Sequence, residues 1–295
     1  MKFSRLMLGT VQFGLRYGIN NRLGQPSLES VEEILRTAAD GGIDVLDTAR
    51  NYGESEEVLG KALRATGLEK HFKIISKVKL FPPAITPEEI PGWIEGSVKT
   101  SLGCLQRGRL DGLLLHSEND LPHFAKLRAA LENGWTDAIG ASLDSVAGSP
   151  EKYTSQLMMA QVPGNILDRR FWKTAQEIKS RGGAVFVRSV YLQGLLFKPA
   201  AELGEKFAPV VAVRTRLEAL SREAGLVPAE LYFRYLLSLP MVDCVLTGVD
   251  SAEQLRQNIE VASHGALPAD VLAEIDRIVP DLPEKYIRPS CWKSL

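Results

Sequence analysis

The sequence predicts an α/β fold, a parallel (β/α)8 barrel of the TIM-barrel class. Eight short runs are apolar almost throughout rather than alternating, which is typical of parallel strands covered on both faces. Amphipathic stretches separate these runs from one end of the chain to the other. The rival doubly wound fold usually carries a GxGxxG loop after its first strand, and this sequence has none. Barrels of this class commonly reach 295 residues as one domain, so we expect residues 1–295 to form a single domain.

The predicted strands and helices follow one another in regular order. Ser30 and Ser251 each begin a capping-box pattern, which predicts helix starts before the second strand and after the eighth. Thr86 is predicted to cap a further helix, with Pro87 at its first position. We expect an additional helix over residues 268–279 and an irregular segment after it. The predicted strands are residues 6–9, 45–47, 73–77, 112–115, 138–142, 158–161, 184–189 and 242–246.

Composition excludes several classes of partner. The chain has 35 Lys and Arg against 36 Asp and Glu, a net charge of -1, so we expect no nucleic-acid or anionic-membrane partner. Cys104, Cys244 and Cys291 lie far apart with no CxxC spacing, which fits a reducing compartment. No apolar run approaches the ~18 residues that a membrane helix needs. We therefore predict a cytoplasmic protein that binds a small molecule, without a metal site.

Polar side chains occur at the ends of three neighbouring predicted strands. Asp47 ends the second strand and Tyr52 lies on the loop after it, whereas Lys77 ends the third strand and His116 follows the fourth. The carboxyl ends of parallel barrel strands meet at one face, so we expect these four residues there. Each residue alone also suits an ordinary structural role, such as a charged strand end or a core histidine. A buried lysine and a buried aspartate at one barrel mouth need each other, because an isolated buried charge is costly.

This set of groups suits carbonyl reduction. A tyrosine hydroxyl normally has a pKa near ~10. A neighbouring ammonium is expected to lower that pKa, so that Tyr52 serves as proton donor and acceptor near neutral pH. Asp47 would keep Lys77 charged and in place, and His116 would orient or polarise the carbonyl. None of these groups delivers a hydride, which implies a nicotinamide cofactor.

Three segments resemble the Asp/Tyr/Lys/His signature of the aldo-keto reductases. They are Asp47-Thr48-Ala49-x-x-Tyr52-Gly53, Ile75-Ser76-Lys77 and Asp111-Gly112-Leu113-Leu114-Leu115-His116. The resemblance covers nearly the whole barrel. It implies a TIM barrel that binds NADH or NADPH in extended form without a Rossmann domain. Tyr52 would be the general acid and base, tuned by Lys77 and Asp47, and His116 would place the carbonyl. Only five residues precede the first predicted strand, so we expect the family's N-terminal hairpin to be reduced or missing.

The same resemblance assigns cofactor-binding positions one at a time. It also shows three departures: Leu143 stands where Asn is usual, Gly164 replaces a Tyr, and Arg188 falls where an aromatic ring stacks on the nicotinamide. The guanidinium of Arg188 has three possible uses, namely stacking on that ring, binding substrate, or pairing with a nearby acid. The neighbourhood of Gly248 lacks basic residues for a 2′-phosphate, but Arg256 could compensate, so both dinucleotides stay open. The predicted cofactor-binding residues are Gly9, Thr10, Ser142, Gln161, Arg188, Leu192, Gly194, Gly248, Gln254 and Asn258.

The substrate pocket is described less fully by the sequence. A short polar loop follows His116, which favours a small polar aldehyde or a sugar over a steroid. Two other functions stay open: a Schiff-base lyase with Lys77 as nucleophile, and a non-catalytic nicotinamide-binding barrel. The oligomeric state also stays open. Candidates for an apolar pocket wall are Phe13, Phe81, Trp172 and Trp292.

Overall fold

The computed structural model describes residues 2–16, 24–146 and 150–294. Eight parallel strands in these residues close into a barrel in sequence order, and the first strand pairs with both the second and the last. Helices alternate with the strands, so the predicted (β/α)8 class is confirmed. The strands are β1 Leu6–Gly9, β2 Val45–Asp47, β3 Lys73–Lys77, β4 Gly112–Leu115, β5 Ile139–Ser142, β6 Met159–Pro163, β7 Ala184–Arg188 and β8 Cys244–Gly248.

The first four strands have the predicted bounds, and the last four shift by one or two residues. β8 moves most, since it begins and ends two residues later than its apolar run suggests. Its register explains the shift, because β1 pairs residue by residue from Leu6 with Val245 to Gly9 with Gly248. The end of β8 is therefore set by its neighbour rather than by its own hydrophobic pattern.

The helices cover the outside of the barrel and vary in length. The predicted additional helix is observed with bounds one residue shorter at each end than predicted. The helices are α1 Val11–Gly14, α2 Leu28–Asp40, α3 Ser55–Thr66, α4 Ile90–Leu105, α5 Arg128–Glu132, α6 Trp172–Ser180, α7 Ala200–Leu203, α8 Ala208–Glu223, α9 Pro228–Leu237, α10 Ala252–Ser263, α11 Ala269–Ile278 and α12 Glu284–Ile287.

Two helix starts differ from the sequence expectation. Ser27, not Ser30, caps α2, and its hydroxyl accepts a hydrogen bond from the Ser30 amide at 3.3 Å. α4 begins at Ile90 instead of just after Thr86. The carboxylate of Glu89 accepts a hydrogen bond from the Thr86 amide at 2.8 Å, so a side chain closes the turn that precedes this helix.

The last part of the described chain is more regular than expected. Ser251 caps α10 as predicted, and its hydroxyl accepts from the Gln254 amide at 3.3 Å. The segment after α11 was expected to be irregular, but it contains α12 and a 3-10 helix over Pro289–Ser294. At the other end, no strand precedes β1 within residues 2–5. Among the described residues, no helix is long and apolar enough to cross a membrane.

The interior of the barrel explains why polar residues meet at one end. Strand side chains alternate between the two faces, so the residue two positions after an interior residue also faces inward. One buried cluster takes a residue from every strand or its start, as only a barrel interior allows. Asp47, Lys77 and His116 each follow a member of this cluster by two positions. The members are Met7, Val45, Ile75, Leu114, Ala138, Met159, Phe186 and Cys244.

Candidate active site

Lys77 and Asp47 form an ion pair at the carboxyl end of β3 and β2. Their side chains are 1% and 3% exposed, and Lys77 Nζ lies 2.6 Å from Asp47 Oδ1. The same carboxylate oxygen accepts a hydrogen bond from Gln161 Nε2 at 2.7 Å, and Lys77 also donates to the Thr48 carbonyl at 3.1 Å. Burial alone lowers the pKa of Lys77, but attraction to Asp47 and Tyr52 raises it above its ordinary value. Lys77 is therefore a charged, fully hydrogen-bonded ammonium.

Tyr52 completes the contacts of this ammonium. Its hydroxyl oxygen lies 3.1 Å from Lys77 Nζ. Two glycines bring its loop against α1: a Cβ on Gly14 would lie 2.0 Å from the Tyr52 carbonyl oxygen, and one on Gly53 would lie 2.4 Å from the Gly14 carbonyl oxygen. Gly53 also has φ +58°, in the left-handed region that glycine favours. The tight approach of two loops thus fixes where the phenol points.

The ionisation of Tyr52 differs from the sequence expectation. Burial raises the pKa of Tyr52 above its ordinary value, and the opposing attraction of Lys77 does not cancel that effect. The expectation of a lowered pKa was wrong, because the water-poor cavity disfavours the phenolate more than one ammonium, itself paired with Asp47, stabilises it. The hydroxyl is accordingly protonated and able to donate.

His116 lies beside Tyr52 at the end of β4. The two rings meet edge to face, with centroids 5.7 Å apart and planes at 87°. Burial lowers the pKa of His116 to about 3, and repulsion from Lys77 and Arg188 adds to this. Its buried Nδ1 atom has no hydrogen-bond partner among the described residues. His116 is therefore a neutral imidazole with hydrogen-bonding capacity to spare.

One cavity of about 520 Å³ joins these groups at the barrel mouth. It holds an acid, a phenol, an imidazole, a guanidinium and several amides, and Lys77 lies directly beneath it, bonded to two of the lining residues. Its lining is Gly9, Val11, Gln12, Asp47, Tyr52, His116, Ser142, Gln161, Arg188, Ser189, Val190, Tyr191, Gln193, Gly194, Leu246, Thr247, Gly248 and Asn258.

Comparison with known proteins assigns the chain to a family. The profile of the Aldo/keto reductase family matches residues 5–280. The chain belongs to this family. Membership supports an NAD(P)-dependent oxidoreductase as the general class.

Individual relatives are distant, and the two solved structures among them show the same architecture. An aldo-keto reductase from Bacillus halodurans, solved in its holo form, is 22% identical with a TM-score of 0.76, covering 96% of this chain and 95% of its own. A glycerol dehydrogenase from Gluconobacter oxydans is 21% identical with a TM-score of 0.74, covering 95% and 94%. A protein described as a probable voltage-gated potassium channel subunit beta, from Arabidopsis thaliana, is 24% identical over 325 residues, covering 96% of this chain and 97% of the relative.

Seven of the ten predicted cofactor-binding residues of this aldo/keto reductase line the cavity, and three do not. Thr10 is fully buried, and its hydroxyl donates to the Asp47 carbonyl at 2.9 Å, so it holds β2 in place. Leu192 lies in the segment after β7 and is 1% exposed. Gln254 lies at the start of α10, where its side chain accepts from the Asp250 amide at 2.9 Å. The seven are Gly9, Ser142, Gln161, Arg188, Gly194, Gly248 and Asn258.

The departures from the family pattern have structural counterparts. Gly164 leaves room for the ring of Trp172, which a Cβ at this position would approach to 2.3 Å. Trp172 thus fills the space beside a residue where the family usually has Tyr. Leu143 is buried, and its carbonyl oxygen accepts a hydrogen bond from Arg188 at 2.9 Å. Arg188 also pairs with Asp144 at 3.1 Å, so one of its three possible uses, pairing with an acid, is observed.

The four aromatic residues named as candidates for an apolar wall, each of which suits a structural role better, do not line this cavity. Phe13 is fully buried and Phe81 packs near His123. Trp292 lines a neighbouring cavity of about 620 Å³, which shares only Gln193 and Gly194 with the first. Tyr191 is the aromatic residue that joins Tyr52 and His116 in the lining.

Gln12 is a site residue that sequence reasoning missed. It is 8% exposed, lines the cavity, and its Oε1 atom has no hydrogen-bond partner among the described residues. A Cβ on Gly248 would lie 2.5 Å from that oxygen, so the glycine allows the amide to sit there. The sequence signal that could have identified Gln12 is its position just after β1, because every βα loop contributes to the same face of a barrel.

Proposed function

We propose that this protein interconverts an aldehyde or ketone with its alcohol, using NADH or NADPH. The observation that carries the proposal is the contact of a charged, buried Lys77 with a protonated Tyr52, 3.1 Å away, in a cavity that also holds a neutral His116. A donor with a nearby cation is suited to protonate an oxygen on which negative charge develops.

The residues have separate roles in the reducing direction. His116 orients the carbonyl by a hydrogen bond to its oxygen, and it does so as a neutral donor. Tyr52 transfers its hydroxyl proton to the same oxygen as the carbonyl carbon gains a hydride. Lys77 stabilises the resulting phenolate until a proton from solvent restores it, and Asp47 keeps Lys77 charged. In the alcohol-oxidising direction Tyr52 first releases its proton to solvent, and the phenolate, stabilised by Lys77, then accepts the hydroxyl proton of the alcohol.

The polar lining of the cavity supports a nicotinamide dinucleotide as the cofactor, which when bound would supply or accept the hydride. Ser142, Gln161 and Asn258 would hold its polar groups, and the unpartnered Oε1 of Gln12 offers a buried acceptor for a hydroxyl or amide N–H. Because Asp47 engages the amide nitrogen of Gln161, the carbonyl oxygen of Gln161 is the part left for a ligand.

Neither alternative function is supported as well as carbonyl reduction is. A Schiff-base enzyme needs an unprotonated amine, whereas Lys77 has a raised pKa and bonds to Asp47, Thr48 and Tyr52. A non-catalytic role draws support from the name of the Arabidopsis relative. A non-catalytic role gives no reason for Asp47, Tyr52, Lys77 and His116 to meet at one cavity. The free thiols of Cys104 and Cys244 accord with the cytoplasmic location that we infer from the sparse cysteines.

The test is a pair of measurements on the full chain. Dissociation constants for NADH and NADPH come from the change in nicotinamide fluorescence, and turnover comes from absorbance at 340 nm with a panel of aldehydes, ketones and aldoses. We expect binding and turnover of at least one carbonyl. Tight binding with no hydride transfer to any carbonyl supports the non-catalytic alternative. Borohydride trapping of a substrate on Lys77 supports the lyase.

A further inference from the structure

Arg188 places a cation in the same cavity as the proton-transfer groups. It ends β7, its side chain is 27% exposed, and it lines the cavity with Tyr52 and His116. One terminal nitrogen of its guanidinium is already held, because Nη2 donates to the Leu143 carbonyl at 2.9 Å and to Asp144 Oδ1 at 3.1 Å. These two bonds fix the plane of the guanidinium.

The residues that hold Arg188 lie behind it. Asp144 Oδ2 accepts from Arg288 Nε at 3.0 Å, so each carboxylate oxygen serves a different arginine. Neither Asp144 nor Arg288 lines the cavity. The acid that pairs with Arg188 is therefore oriented away from the space that a ligand enters.

Nη1 and Nε of the guanidinium have N–H groups available to a ligand. Nη1 makes a long hydrogen bond of 3.4 Å to Ser189 Oγ, and Nε makes no hydrogen bond among the described residues. Within the described lining, Asp47 is the sole carboxylate, and Lys77 and Gln161 already engage it. The charge of Arg188 reaches the reaction groups, since it lowers the pKa of His116. The cavity thus has a cation with open donors and no free anion to match it.

We propose that Arg188 binds an anionic group of the substrate, a carboxylate or a phosphate placed a few bonds from the reacting carbonyl. This inference rests on the proposed carbonyl reduction and narrows its substrate to oxo-acids and phosphorylated aldehydes. Nη1 and Nε lie on different sides of the guanidinium, and each can donate a charge-assisted hydrogen bond to an oxygen of such an anion. An anion of the cofactor offers the same chemistry, so the experiment has to separate the two sources.

The experiment compares two aldehydes of similar size, 4-oxobutanoate and butanal, in the wild-type enzyme and in Arg188→Met, Arg188→Lys and Arg36→Met. Arg36 is the matched control, an ion-paired arginine on the surface of α2. We expect wild type to prefer the charged aldehyde. Arg188→Met should lower the ratio of kcat/KM for 4-oxobutanoate to kcat/KM for butanal by roughly 10- to 100-fold, mainly through the KM for 4-oxobutanoate, since one hydrogen bond to a charged group has about that value. Arg188→Lys should recover part of the loss.

Three outcomes overturn the inference: equal losses on both aldehydes, no preference in the wild type, or a loss of NADH and NADPH affinity with unchanged substrate preference. The last of these assigns Arg188 to the cofactor. Calorimetric titration with succinate, an unreactive dianion, separates this inference from the proposed function. If no carbonyl is reduced but succinate binds in an Arg188-dependent manner, the proposed function fails and the anion site stands.

Discussion

The Nζ atom of Lys77 lies 3.1 Å from the hydroxyl oxygen of Tyr52 and 4.7 Å from the centre of its ring. The ammonium thus contacts the hydroxyl end of the phenol. The contact stabilises negative charge on the oxygen, although burial keeps the hydroxyl protonated until a reaction step removes the proton.

Substitution of Tyr52 tests this contact directly. Tyr52→Phe should lower kcat by roughly 100- to 10,000-fold, the range for loss of a general acid, with little change in cofactor affinity. The matched control is Tyr232→Phe, which removes a buried hydroxyl with no partner among the described residues, outside the cavity lining. Turnover and NADH fluorescence titration measure both quantities. Unchanged turnover in Tyr52→Phe would exclude the assigned mechanism.

The ion pair of Lys77 and Asp47 should couple strongly in stability. Lys77→Met leaves a buried carboxylate without its cation and should cost about 3–5 kcal/mol in the free energy of unfolding. The double variant Asp47→Leu/Lys77→Met should recover most of that loss, because neither charge is then left buried. Urea unfolding of Asp47→Leu, Lys77→Met and the double variant gives the coupling energy. Lys61→Met, at an exposed pair with Glu57, serves as control and should leave stability unchanged. Additive losses from the two single substitutions would contradict a coupled pair.

His116 should make stability depend on pH in a defined window. Its pKa is about 3 when folded, against an ordinary value of 6.5. Between these values the unfolded chain binds a proton that the folded chain excludes, so the free energy of unfolding falls as pH drops from 6.5 toward 3. The slope from this one group approaches about 1.4 kcal/mol per pH unit. Urea unfolding at pH 7.5 and 5.5 should show a smaller pH dependence in His116→Asn than in wild type, and His123→Asn is the control. An identical pH dependence in His116→Asn and wild type would show that His116 is not the source.

Gly248 tests whether Gln12 belongs to the proposed cofactor site. A Cβ at Gly248 would lie 2.5 Å from Gln12 Oε1, so Gly248→Ala should displace the amide and weaken NADH and NADPH binding. The control is Gly96→Ala in α4, where a Cβ meets nothing within 4 Å. That substitution should raise the free energy of unfolding by about 0.5–1 kcal/mol, because alanine suits a helix better. Equal cofactor affinity in Gly248→Ala and wild type would remove Gln12 from the proposed site.

The ion pairs of Arg256 predict which dinucleotide the protein prefers. Its guanidinium contacts Glu33 at 2.9 Å and Glu253 at 3.5 Å, so the one basic residue proposed to compensate for the missing 2′-phosphate contacts is already paired. We expect a lower Kd for NADH than for NADPH. Glu33→Gln should release Arg256 and narrow the difference, and Glu32→Gln, at a neighbouring surface pair, should not. Tighter binding of NADPH by wild type would contradict this interpretation.

The sequence was sufficient to predict the barrel and the meeting of Asp47, Tyr52, Lys77 and His116 at one end of it, and their part in proton transfer is a proposal. Strand ends are local features, and the two-residue alternation of a strand carries Val45 to Asp47 and Ile75 to Lys77 on the same inner face. The prediction of the cofactor-binding residues was less reliable. A residue such as Thr10 can belong to a loop at the barrel mouth while its side chain bonds to a neighbouring strand instead of facing the cavity. Loop position does not determine side-chain direction.

Other properties depend on contacts between distant parts of the chain. The pKa of Tyr52 is the balance of burial against the attraction of Lys77, and burial cannot be measured before the loops are folded. The pairing of Asp144 with Arg288 joins residues 144 positions apart. Trp172 fills the space beside Gly164 only after β6 and α6 have packed. No local pattern reports such contacts.

Asp144 divides its two oxygens between Arg188 of the barrel and Arg288, which follows α12. A segment outside the barrel strands therefore helps to orient a guanidinium inside the cavity. Such an arrangement separates two properties on which selection acts, namely substrate preference and proton transfer. If Arg188 binds the substrate as proposed, substitutions after α11 change substrate preference through Arg288 and Asp144 and leave Asp47, Tyr52, Lys77 and His116 in place.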